Sequence, residues 1–161
     1  MILQIVGYKN SGKTTLMTHT VQRLKQWGYS VVTVKHHGHA GEEITLPDVT
    51  VDHMRHFEAG ADQSIVQGHD YVETIQRNHY PTLETLLAEC VTMDDSIILI
   101  EGYKKATYPK VIVYKNKEDL DALRQLENVQ FSMQWQSDGF DETNYDKWLK
   151  QWIREGEGEI R

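Results

Sequence analysis

The sequence predicts an α/β fold, a mostly parallel sheet flanked by helices, and three observations carry that prediction. Ile2 to Val6 is a short apolar run rich in β-branched residues, Thr14 to Trp27 has helical periodicity, and a glycine loop lies between them. Val31 to Val34 is a second β-rich run, reached through the stop signal Trp27-Gly28-Tyr29, so residues 2 to 34 read as a βαβ unit with a right-handed crossover. Ser96 to Ile100 and Lys110 to Tyr114 repeat the strand pattern later in the chain.

The first loop narrows the fold class. Gly7-Tyr8-Lys9-Asn10-Ser11-Gly12-Lys13-Thr14 fits the phosphate-binding pattern G-x-x-x-x-G-K-[ST] at every fixed position, in the required order of strand, loop and helix. The expected fold is therefore P-loop NTPase-like. Gly7 and Gly12 let the backbone turn so that successive N–H groups face phosphate oxygens, and a triphosphate then lies over the N-terminus of the helix. Lys13 brings positive charge to the β and γ phosphates, and the Thr14 hydroxyl is the expected Mg²⁺ ligand, with waters filling most of the octahedron.

Residues 36 to 51 lack periodicity and form a long loop, of the kind that is often functional. Asp52 to Ala59 reads as a short helix ended by Gly60, followed by a strand at Gln63 to Gln67. Thr82 to Cys90 is a helix with Thr82 as N-cap after Pro81 and with Leu83, Leu86, Leu87 and Cys90 on one face. Asn144 to Glu155 places Tyr145, Trp148, Leu149 and Trp152 at helical spacing, a stripe suited to core or a subunit interface.

Four patches carry further chemistry. The strand Ser96 to Ile100 ends in Glu101, a carboxylate positioned to reach Mg²⁺ directly or through water, with a side chain one methylene longer than the usual Asp. Gly102 then turns the chain at the carboxyl edge of the sheet, where ligands of open α/β folds bind. Lys35-His36-His37-Gly38-His39 and Asp52-His53-Met54-Arg55-His56 hold five of the eight histidines. They suit either a metal site or solvated and anion-binding side chains, and neither H-E-x-x-H nor a Cys/His pair is present. Tyr103-Lys104-Lys105 offers two cations to a second phosphate or an acidic partner, or forms a solvated turn. Asn116-Lys117-Glu118-Asp119 matches N-K-x-D, in which the Asp would read guanine N1–H and N2–H; the alternative is that Asp119 caps a helix. With no D-x-x-G motif near the middle strand, a switch-type regulatory GTPase is not expected.

At 161 residues the chain has the size of a single domain spanning 1–161, and its net charge of −7 argues against a general nucleic-acid binder. Cys90 is the single cysteine, so no intrachain disulfide is possible. No charged n-region, cleavage site or membrane-length apolar stretch stands out, and the expected location is cytoplasmic.

Together, G-x-x-x-S-G-K-T-T, Lys35-His36, Asp52 to Arg55 running into Ala59-Gly60-Ala61, and Glu101-Gly102-Tyr103-Lys104 followed by Pro109-Lys110-Val111 resemble the MobB family over residues 1 to 115. MobB proteins are molybdopterin-guanine dinucleotide biosynthesis adaptors. The resemblance implies a homodimeric GTP-binding protein with slow Mg²⁺-dependent hydrolysis, which assists the guanylyltransferase MobA in joining GMP to the molybdenum-bearing pterin cofactor. Carried over by position, Gly7, Lys9, Asn10, Ser11, Gly12, Lys13, Thr14 and Thr15 would bind the phosphates. Thr14 and Glu101 would stand at the metal, Lys13 and Glu101 would serve catalysis, and Lys35, His36, Asp52, Arg55 and Lys104 would line the cleft. Arg55 is the internal candidate for an arginine finger. The rival readings are a P-loop small-molecule kinase and a nickel or cobalt chaperone GTPase.

Overall fold

The computed structural model describes residues 1–37, 43–137 and 139–159. By contact the chain divides into two compact units, Met1–Gly38 with Glu89–Arg161, and His39–Ala88.

The first unit is built on five parallel strands. They are β1 (Ile2–Gly7), β2 (Val31–Lys35), β5 (Ile97–Glu101), β6 (Lys110–Tyr114) and β7 (Val129–Gln134), in the order β2-β5-β1-β6-β7. Strand β1 lies at the centre because its side chains are apolar on both faces: Leu3, Ile5 and Val6 are all fully buried. Leu3 and Ile5, with Leu99, Val111 and Val113, pack beneath α1 (Lys13–Gln26) and α5 (Glu142–Glu159), which contribute Leu16, Leu24, Tyr145 and Leu149. Val6 and Ile112 meet Leu123 of α4 (Lys117–Leu123) in a separate core cluster. Alternation along the strands thus sends successive side chains into different layers.

Helix α5 is also tied to α1 by polar contacts. The Tyr145 and Thr20 hydroxyls are 2.7 Å apart, and Asp146 holds His19 at 2.8 Å and Arg23 at 2.5 Å. The aromatic stripe is therefore largely core: Tyr145 and Leu149 are buried, while Trp148 and Trp152 are half-buried.

The second unit holds α2 (Asp52–Glu58), the antiparallel hairpin of β3 (Gln63–Gln67) and β4 (Val72–Gln76), and most of α3 (Leu83–Cys90). The main sheet is parallel throughout, as the fold class requires. Three elements escape a reading by pattern. Strand β4 has no buried face, α4 spans only seven residues, and β7 is an edge strand whose apolar residues merely alternate.

Candidate functional site

Strand β1 delivers its last residue, Gly7, to the carboxyl edge of the sheet, where the chain loops through Tyr8 to Gly12 into α1. A Cβ on Gly7 would lie 2.5 Å from both Ser11 Oγ and the Val113 carbonyl oxygen, so only glycine fits between the loop and β6. Gly12 is the N-cap of α1 with φ of 92°, in the left-handed region. It makes no side-chain cap hydrogen bond, and the first turn holds no acidic residue, which leaves the helix N-terminus to a ligand. The Ser11 hydroxyl is buried with no hydrogen-bond partner. The glycine cradle, the uncapped helix and the orphaned hydroxyl fit a phosphate chain.

Electrostatics point the same way. Lys13 Nζ donates to the Tyr8 carbonyl. Burial pulls its ammonium below the usual lysine range; Glu101 opposes this, while Lys104 and Lys35 add to it. An acidic chain thus concentrates three lysines around one carboxylate. A cavity of about 250 Å³ opens at the loop and the start of α1, lined by Asn10, Ser11, Gly12, Lys13, Thr14, Thr15 and Trp135.

Sheet register positions Glu101. It pairs with Ile5 of β1 and with Lys35 of β2, and its Oε1 lies 3.4 Å from Lys35 Nζ. The following turn is held from beneath: the wholly buried Gln4 donates from Nε2 to the carbonyls of Gly102 at 3.1 Å and Tyr103 at 3.0 Å. Gly102 has φ of 96°, and a Cβ there would press on His36 Cβ at 3.0 Å. The His36 ring stacks on Tyr103 at 4.3 Å between centroids. Lys104 Nζ sits 4.1 Å from the centroid of the Tyr8 ring, which brings this turn against the phosphate loop. Burial lowers the Lys104 pKa, and Asp119 partly offsets that.

The structure thus gathers the phosphate loop, Lys13, Lys35, His36, Glu101 and Lys104 on one edge of the sheet. Lys9 is exposed on the loop. Asp52 and Arg55 belong to the other compact unit, where they are exposed and pair with each other at 3.9 Å. Gly38, His39 and Ala40 of the histidine-bearing stretch lie outside the described residues. Among the described residues no three His, Cys, Asp or Glu side chains converge as metal ligands.

In Asn116-Lys117-Glu118-Asp119 the helix cap is Asn116 rather than Asp119. Asn116 Oδ1 accepts from the Asp119 N–H at 2.8 Å, and Asp119 Oδ2 accepts from the Lys115 N–H at 3.4 Å. Gln4, Tyr8 and Trp135 enter the site without a sequence signal of their own. Gln4 is one polar residue in an apolar run, and Trp135 follows a strand that the pattern did not disclose. Among the described residues no helix is long and apolar enough to cross a membrane.

The fold and the loop define a P-loop NTPase-like α/β protein. The family model described as "Molybdopterin guanine dinucleotide synthesis protein B" (MobB) matches residues 2–132. The chain belongs to that family, and with it to molybdopterin guanine dinucleotide biosynthesis. It is 39% identical over 123 residues to a probable molybdopterin-guanine dinucleotide biosynthesis adapter protein of Bacillus subtilis, an alignment covering 76% of this chain and 70% of the relative. The crystal structure of a MobB protein homolog from Bacillus stearothermophilus superposes with a TM-score of 0.72 at 28% identity, covering 95% of this chain and 97% of that one. Bacillus subtilis MobB gives 0.67 at 33% identity, over 88% of this chain and 83% of its own.

Proposed function

We propose that this chain is a cytoplasmic GTP-binding adaptor that assists the guanylyltransferase MobA in attaching GMP to the molybdenum-bearing pterin, and that it hydrolyses GTP only slowly. The observation that carries this reading is the uncapped, glycine-lined start of α1, with the orphaned Ser11 hydroxyl and with Lys13 beside Lys35 and Lys104.

Backbone N–H groups of the loop would hold the phosphate oxygens, and Lys13 would exchange its bond to the Tyr8 carbonyl for one to phosphate. Thr14 and Glu101 would hold Mg²⁺, which when bound neutralises charge on the phosphates. Slow turnover follows from what surrounds Lys13. Among the described residues no arginine lines the cavity, and an arginine finger is worth about 10³ to 10⁵ in rate where it is present. The Asn116–Asp119 turn follows β6 on the edge where Val113 meets Gly7, and the Asp119 carboxylate retains acceptor capacity toward a guanine edge.

A homodimer is part of the reading. The β3–β4 hairpin exposes Ile65, Tyr71 and Val72 and pairs with no further strand among the described residues, so its open edges are templates for a strand of a second copy.

Calorimetry with Mg²⁺ and either GTP or ATP tests the function directly. GTP should bind at least roughly tenfold more tightly, about 1.4 kcal/mol, and Lys13→Ala should abolish binding. Equal binding or an ATP preference would remove the guanine argument and redirect the reading to a small-molecule kinase.

A further inference from the structure

We propose that Trp135 is the nucleoside wall of the phosphate-loop cavity, its indole stacking against the ribose–base half of a bound nucleotide. The inference rests on the nucleotide-binding reading above and adds a nucleoside-binding residue to it.

Among the described residues, Trp135 is the one lining residue of this cavity that comes from outside the run Asn10 to Thr15. Its position is fixed from several sides. The backbone N–H donates to the Tyr114 carbonyl at 2.8 Å, extending the β6–β7 pairing by one residue. The ring rests on Gly12, where a Cβ would lie 2.2 Å from Cε3 and 2.4 Å from Cδ2, and it neighbours Phe140 at 6.0 Å between centroids. The side chain is thus partly buried against the core and also lines the cavity.

Sheet order gives the cavity a direction. Glu101 and Lys35 stand on β5 and β2, to one side of the central β1, whereas Trp135 directly follows β7 on the other. A ligand with a charged end and a flat, weakly polar end fits that polarity, phosphates toward β5 and nucleoside toward β7. An indole face offers little to phosphate oxygens but suits a base or the apolar side of a ribose. Trp135 also lies past residue 132, where the family match ends, so this wall belongs to the chain's own C-terminal part.

The test compares Mg·GTP with Mg·tripolyphosphate, which carries the phosphates without the nucleoside, on wild type, Trp135→Ala and Trp135→Phe. Trp135→Ala should weaken GTP binding about tenfold and change tripolyphosphate binding less than about twofold, with Trp135→Phe close to wild type for both. Unchanged GTP binding, or equal losses for both ligands, would overturn the proposal, the second because the ring would then only shape the loop. Fluorescence supplies an independent reading: GTP should quench tryptophan emission in the wild type, and that quench should vanish in Trp135→Phe. A quench that survives there overturns the proposal as well. Failure of wild type to bind GTP, or binding that Lys13→Ala leaves intact, would instead bring down the nucleotide reading itself.

Discussion

Lys13 makes the site sensitive to alkaline pH. Burial holds its pKa below the usual lysine value of 10.5, so between the lowered value and 10.5 the folded chain binds fewer protons than the unfolded chain. The cost of burying the ammonium is therefore fully present below the lowered value and fades as pH rises through that window. Bound phosphates favour the charged form, so nucleotide binding in the window should take up a proton, and affinity should fall as pH climbs through it. Calorimetry over a pH series that climbs towards 10.5, each point in two buffers of different ionisation enthalpy, should record that uptake; equal heats in both buffers throughout the series would contradict it. Gly12 offers a second check. Gly12→Ala combines left-handed strain of about 1 to 3 kcal/mol with a clash against the Trp135 ring, and urea unfolding should report a loss at least that large. Adding Trp135→Ala should recover only the part due to the clash. At this scale the phosphate loop was legible because its backbone demands specific residues at fixed spacing. Trp135 was not, since nothing local to Gln134–Gln136 encodes its contact with Gly12.

Among the elements, β5 and the turn after it depend on a residue from the neighbouring strand. Gln4 holds the Gly102 and Tyr103 carbonyls from within β1 and so sets where Lys104 meets Tyr8. Gln4→Leu keeps the volume but strands both carbonyls, at about 1 to 3 kcal/mol. Chemical denaturation should register that loss, and nucleotide affinity should drop severalfold as the Lys104 turn loosens. An affinity equal to wild type would mean that the turn holds itself. Strands β1, β5 and β6 and helix α1 were readable because continuous apolar runs and helical periodicity survive in buried elements. Strand β7 buries only Met133 among its six residues, β4 buries none, and α4 forms around Leu123 with an Asn116 cap, so their signals are short or diluted by polar positions.

For the molecule as a whole, association is the property most open to test. If the β3–β4 hairpin supplies the contact between copies, Ile65→Lys combined with Val72→Lys should convert a dimer to a monomer in sedimentation equilibrium while leaving Mg·GTP binding to each chain in place. A double variant that still sediments as a dimer would move the contact elsewhere.

The sheet order also constrains the time at which the site can exist. Strand β1 carries the phosphate loop, yet both of its partners, β5 and β6, come from Ile97 onward, and it makes no ladder with β2. During synthesis β1 and the glycine loop therefore emerge early, and β1 waits as an unpaired apolar strand until more than half of the chain has followed, the interval in which such segments are prone to aggregate. A chain cut short ahead of Ile97 has every residue from Gly7 to Thr15 and neither of the strands that shape them into a pocket.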